Sequence, residues 1–258
     1  MHTFVICAYQ ESPYLEECVD SLFAQTMKSR ILIATSTDNA HIRRIAKERG
    51  LEVRFSGKVS DIAGDWNYAY TQAETKYVTI AHQDDIYEPD YAKTAVSMME
   101  QRKRPLLFFS DYYEIREEGR TYSNTNLLIK KIMLSPMLVP FFSGRRGVKR
   151  RILSLGNPIC CPSVTFAKEN LPYAMFRKGM KSNIDWEAWA AAADMKGDFV
   201  YAPRPLMGHR IHRDSTTTDI IESSLRTQED LHMLKKFWPD PLAERINALY
   251  RNAEKSNR

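Results

Sequence analysis

The chain has 258 residues, 43% hydrophobic and 27% charged, a make-up that supports a buried core and excludes disorder. The formal net charge is +5, yet no acidic residue lies between Glu118 and Glu169, so one segment holds the positive excess and a generally basic nucleic-acid-binding surface is excluded. No apolar run is long enough for a membrane-spanning helix. Met1 to Cys7 carries no basic leader or small-residue cleavage site and reads as a strand, not a signal peptide. Cys7, Cys18, Cys160 and Cys161 form no CxxC pair and read as buried free thiols of a reducing cytoplasm.

In chain order, Thr3 to Cys7 predicts a buried strand. Ser12-Pro13 predicts a helix start, with Ser12 as N-cap and Leu15, Val19, Leu22 and Phe23 on one face. A strand over 31–34, a helix ending near Gly50 and a strand over 51–55 follow. A helix over 61–73, a strand over 77–81, a helix over 90–102 and a strand over 106–110 complete the first half. Strand and helix alternating at such short intervals imply parallel strands joined by crossover helices, with ligands beyond the carboxyl ends of the strands. That places Ala8 to Glu11, Thr35 to Asp38 and His82 to Asp85 on one rim.

The second half is less regular. An apolar stretch over 127–142 is interrupted by Pro136 and Pro140 and followed by Arg145, Arg146, Lys149, Arg150 and Arg151. Residues 163–167, 199–201 and 206–211 predict strands; 184–195, 220–237 and 242–253 predict helices. No repeat or low-complexity linker divides the chain, so one continuous domain is expected. Asp84 and Asp85 at a strand end repel one another unless a cation offsets them, and a divalent metal carrying diphosphate oxygens would do so. A solvated turn capping the next helix is the alternative. Trp186 and Trp189, three apart on one helix, suit either an acceptor sugar or the core.

Phe4 to Glu11, followed by Tyr14 to Thr26, resembles the opening of glycosyltransferase family 2. Gly64-Asp65-Trp66-Asn67, and then Tyr77 to Asp90, are similar to the family's nucleotide loop and DxD region. The likeness returns at Asn183 to Glu187 and Pro203 to Thr217. It implies a GT-A fold: an α/β, Rossmann-like, mostly parallel sheet flanked by helices, with an acceptor-side helical extension. Residues 1–115 would be the nucleotide-sugar-binding half and 116–258 the acceptor-side half. It further implies an inverting transfer from a nucleotide-sugar, with Mn²⁺ or Mg²⁺ as cofactor. The donor site would comprise Ala8, Tyr9, Glu11, Thr35, Ser36, Asp38, Asp65, Gln83 and Asp84. Asp84, supported by Asp85, and His212 would form the metal shell. Asp185 in Ile184-Asp185-Trp186-Glu187 would be the general base. His212 belongs to an Arg210-Ile211-His212 segment followed by Ser215-Thr216, similar to the family's Arg-x-His segment. The sequence departs from the family at Thr35-Ser36, where paired aspartates are usual, at His82, the first acid of the DxD, and at Ile184, usually Glu.

The expected role is surface-glycan synthesis, capsule, exopolysaccharide or lipopolysaccharide, on a glycan or polyprenyl-linked acceptor. The enzyme would be cytoplasmic or peripheral on the inner leaflet. Segment 127–151 is open to three readings: an acceptor lid, a contact with an anionic leaflet through Met133, Leu134, Met137, Leu138, Phe141 and Phe142, or a packed or dimer surface. Nucleic acid is not an expected partner. A nucleotidyltransferase is a weaker alternative, because Ala8 to Pro13 lacks Gly, Lys and Arg; a module without activity is the other.

Overall fold

The structure, a computed structural model, describes residues 1–212 and 224–256. β1 (His2–Ala8), β2 (Arg30–Thr35), β3 (Glu52–Phe55) and β4 (Tyr77–His82) are parallel and ordered β3-β2-β1-β4. Their crossovers are α1 (Leu15–Phe23), α2 (Ala40–Arg49) and α3 (Ile62–Gln72). β1 is central, with Val5 in register with Leu32 on one side and Ile80 on the other. Covered on both faces, β1 reads as a continuous apolar run. Phe4, Ile6 and Ala8 pack with α1 and α2, whereas Val5 packs with α3 residues.

Beyond β4 lie β5 (Ile86–Tyr87), α4 (Tyr91–Glu100), β6 (Pro105–Arg116), β7 (Gly119–Thr121), α5 (Thr125–Leu134) and α6 (Arg146–Leu153). Then come β8 (Val164–Ala167), α7 (Ile184–Asp194), β9 (Asp198–Arg210), α8 (Ser224–Lys235) and α9 (Asp240–Ser256). The nine-stranded sheet continues β4-β8-β6-β9-β5, with β7 on β6. The fold is thus a mixed α/β sheet, parallel through its first four strands. Parallel pairing does not pass directly from β4 to β6: the short β8 inserts between them, antiparallel to both. Its place is fixed by long-range partners that local patterning does not reveal, such as Thr165 Oγ1, 2.7 Å from Thr79 Oγ1.

β6 runs six residues past Ser110, where polarity predicted its end. The extension buries Asp111 and Glu114 because each is paired. Tyr201 donates to Asp111 at 2.5 Å, and Arg116 and Asn124 donate to Glu114. The two expected strands over 199–211 are one, β9, and its register shift against β6 accommodates Pro203 and Pro205. At α1 the Ser12 hydroxyl is not the helix cap: the N-cap is Tyr14, without a side-chain bond. Trp186 and Trp189 are buried, so both belong to the core. All four cysteines are free.

In segment 127–151, Leu134 and Met137 face the core, which corrects their expected place at a membrane surface. Lys149 is also buried. Its ammonium donates to the carbonyls of Met195 at 2.6 Å and Gly197 at 2.9 Å, and burial pushes its pKa down to about 8. Arg146 and Arg150 both pair with Asp194. No helix among the described residues is long and apolar enough to cross a membrane.

Candidate active site

The carboxyl ends of β1, β2 and β4 turn into loops that are tied to one another. Gln83 spans two of them: its Oε1 accepts from Tyr9 N at 3.0 Å and its Nε2 donates to Tyr9 O at 2.9 Å. Gln10 adopts a left-handed φ of 55°, a conformation non-glycine residues avoid. It is held there by its N–H on Thr37 Oγ1 and by Asn39, which donates to its carbonyl. Thr35 and Ser36 are buried at the end of β2. Ser36 donates to Asp65 Oδ2 at 3.0 Å, while Asp65 Oδ1 is buried with no hydrogen-bond partner among the described residues. Burial raises the Asp65 pKa against the opposing effect of Ser36. The rim therefore joins Ala8, Tyr9, Thr35, Ser36, Asp65 and Gln83. Glu11 is exposed on the same loop, and Asp38 is paired with Arg43 beside it.

Asp84 and Asp85 are treated differently. Asp84 is partly exposed: Oδ1 accepts from Ser12 Oγ at 2.6 Å, and Oδ2 lies 3.4 Å from His212 Nε2. Asp85 turns inward and is 1% exposed; its Oδ1 accepts from Arg210 N at 2.8 Å and His209 Nδ1 at 3.1 Å. Burial alone would raise the Asp85 pKa, but His209 and these donors outweigh it and lower the value. Burial likewise opposes charge on His209, and Asp85 outweighs it, raising that pKa. His82, stacked on Trp66 with centroids 5.1 Å apart, has its pKa lowered by burial.

Arg210 closes this corner. Its Nε donates to Asp84 O at 2.9 Å, its Nη2 donates to Glu17, and its guanidinium lies 4.3 Å from the Tyr14 ring centroid. Ser215 and Thr216 lie outside the described residues. Among the described residues no group of three His, Cys, Asp or Glu side chains gathers to hold a metal. The Asp84 carboxylate and His212 imidazole nevertheless suit Mn²⁺ or Mg²⁺, which commonly takes few protein ligands and completes its shell with substrate phosphates and water.

Asp185 opens α7. Its Oδ2 accepts from Asn157 Nδ2 at 2.7 Å and its Oδ1 from Trp186 N at 2.8 Å. Burial raises its pKa, and these donors with Lys130 only partly offset the rise. Glu187, the other acid of that turn, is paired with Lys236 at 2.6 Å. The residues before α7 are held from α8: Glu229 accepts from the N–H groups of Lys181, Ser182 and Asn183 at 2.7–3.0 Å. Sequence reading missed Ser12, Asn157 and Glu229. Ser12 was expected in a local capping role, and the other two act across 28 and 46–48 residues, where spacing carries no signal. His209, which reads as an ordinary strand residue, is the partner of Asp85.

A βα rim, an acid at the end of a central strand and a second acid on a separate helix form the arrangement expected of a transferase of the GT-A class. The family model for Glycosyl transferase family 2 matches residues 3–166, and the chain belongs to that family. An uncharacterised glycosyltransferase of Rickettsia conorii is 23% identical over 194 residues, 72% of this chain but 30% of the relative. One from Rickettsia bellii is 24% identical, over 26% of its length, so the chain spans under a third of these curated relatives. Among solved structures, Staphylococcus aureus TarS in complex with UDP-GlcNAc superposes with TM-score 0.65 at 14% identity, over 99% of this chain and 72% of that one. The Pyrobaculum calidifontis mannosyltransferase PcManGT, with GDP-Man and Mn²⁺, gives 0.63 at 14% identity, over 99% and 75%. These likenesses establish the GT-A fold.

Proposed function

We propose that this glycosyltransferase is inverting and metal-dependent, and moves a sugar from a nucleoside diphosphate to a glycan or polyprenyl-linked acceptor in surface-polysaccharide synthesis. The observation that carries the reading is the state of Asp185. It is a carboxylate oriented by Asn157 and Trp186 N, with a pKa raised by burial, as suits a general base. In this reading Asp185 takes the proton of the acceptor hydroxyl as that oxygen attacks the anomeric carbon opposite the leaving diphosphate. Asp84 and His212 would hold the metal, which when bound neutralises charge growing on the diphosphate. Asp85 is a positioning residue: it fixes Arg210 N and His209, and Arg210 in turn holds the Asp84 backbone. Tyr9, Glu11, Thr35, Ser36, Asp38 and Asp65 form the nucleoside side, and the buried Asp65 Oδ1 offers an acceptor to a ligand hydroxyl or N–H.

TarS binds UDP-GlcNAc and PcManGT binds GDP-Man with Mn²⁺, so uridine and guanosine donors are the first to test. The reading places the enzyme in the cytoplasm, with segment 127–151 toward the inner leaflet and the chain organised as one domain. The experiment is a thermal-shift and hydrolysis panel of UDP- and GDP-sugars with and without Mn²⁺. One donor should stabilise the protein by mass action and be hydrolysed slowly, both in a metal-dependent manner. No stabilisation and no turnover with any donor would leave a module without activity.

A further inference from the structure

The surface beside the acceptor end of the site is apolar rather than basic. On α5, Leu128, Ile129 and Ile132 fall at i, i+1 and i+4, a spacing that puts them on one side of the helix. The 3₁₀ turns that follow add Leu138, Val139 and Phe141. These six side chains are 46–66% exposed, although the opposite side of the same segment delivers Leu127, Leu134 and Met137 to the core. A run of large apolar side chains left in water marks an interaction surface.

The composition selects the occupant. Five of the six are aliphatic, with no Tyr or Trp, whereas protein–protein hot spots favour Trp, Tyr and Arg and are poor in Leu and Val. The segment's own charges are all of one sign, since residues 119–168 contain no acid; Asp111 and Asp194 reach its cations from other elements. Arg145 is exposed and lies over the Phe141 ring at 4.4 Å, while Lys131 is half-exposed and paired with Asp111, so Arg145 is the cation that flanks the apolar side chains as at a bilayer interface. The basic run itself contributes little free charge, because Lys149 is buried and Arg146 and Arg150 are engaged by Asp194. The same helix carries Lys130, whose ammonium bonds Tyr112 at 2.9 Å and which lines one small cavity with Pro158, next in sequence to the Asn157 that holds Asp185. An apolar face of α5 entering a bilayer thus lies on the element that borders the loop holding the candidate base.

We propose that Leu128, Ile129, Ile132, Leu138, Val139 and Phe141 form a face that inserts shallowly into an anionic lipid bilayer and presents lipid-linked acceptors to Asp185. The proposal deepens the proposed function and rests on its lipid-linked acceptor. Insertion is mainly hydrophobic, with the flanking cation adding a smaller, salt-sensitive part.

The test is co-sedimentation of the full chain with vesicles of equal parts phosphatidylcholine and phosphatidylglycerol, at low and high salt, beside donor hydrolysis without vesicles. Wild type should sediment at low salt and retain most binding at high salt. Ile132→Ser with Phe141→Ser should lower partitioning on the order of a hundredfold, roughly tenfold for each large apolar side chain removed from lipid. Both residues are already solvent-exposed, so the thermal midpoint and donor hydrolysis should be unchanged. Three results would overturn the proposal: no sedimentation of wild type, equal sedimentation of the double variant, or a dimer in light scattering that these substitutions disperse. Loss of donor hydrolysis in wild type would instead overturn the proposed function, since that readout needs no membrane.

Discussion

The rim at the ends of β1, β2 and β4 and the start of α7 hold their acids by different means. Around β1, β2 and β4 the loops are bonded to their immediate spatial neighbours on the same rim, as Gln83 is to Tyr9 and Ser36 to Asp65. The backbone path of a parallel sheet brings these groups together, so their geometry follows from topology. Asp185 sits instead at the start of a helix whose lead-in is held by Glu229 of α8 and whose first acid is fixed by Asn157. That region is assembled by side chains from separate elements. The first arrangement should tolerate loss of one polar contact, and the second should not.

The sharpest way to break the contrast is at Asp84. Asp84→Ala should abolish transfer and remove the metal-dependent part of nucleotide binding, while the rim bonds through Gln83 keep the loops in place. Titration calorimetry of the nucleoside diphosphate with and without Mn²⁺ checks this; an unchanged Mn²⁺ dependence would remove Asp84 from the metal shell.

Asp185→Asn tests the other side. Turnover should fall roughly 10²-fold or more at saturating acceptor, with donor affinity near normal. As the proposed base Asp185 would work only when deprotonated, and burial raises its pKa. Turnover should therefore decline toward acid through a limb lying above the ordinary carboxylate range, and the Asn variant should lack that limb. Retention of more than about a third of wild-type turnover would reassign the base. Glu187 would be a poor replacement, since Lys236 engages it.

The two halves also differ in how far they were legible from sequence. The parallel direction of the first four strands, the rim and the placement of Asp185 on a helix follow from alternating apolar runs and short motifs, which are local signals; the strand order does not. The insertion of β8 and the full length of β6 do not, because Asp111 and Glu114 read as solvated until partners ninety and ten residues away are known. Lys149 was read among surface cations for the same reason: its acceptors are backbone carbonyls of residues 195 and 197, which no spacing rule anticipates.

Smaller effects sharpen the comparison. Glu229→Ala leaves three backbone N–H groups without their acceptor and should cost about 3 kcal/mol in urea unfolding, with a fall in turnover and unchanged donor affinity. Asp61→Ala, which removes the cap bond to Gly64 N on α3, should cost about 1 kcal/mol and leave turnover nearly intact. Equal losses from these two would erase the distinction between local and long-range support.

The bond from Arg210 to Glu17 joins positions 193 residues apart, and His212 meets Asp84 across 128. Such contacts carry a high loop-closure entropy and form late, after the local βα pairings of the first strands. The order of assembly thus separates shape from reactivity. A chain emerging from the ribosome can set its parallel strands and donor rim early. The corner of Asp84 and His212 stays incomplete until β9 pairs with β6 and Arg210 closes over Asp84, so on the proposed function a half-folded intermediate has little means of consuming nucleotide-sugar.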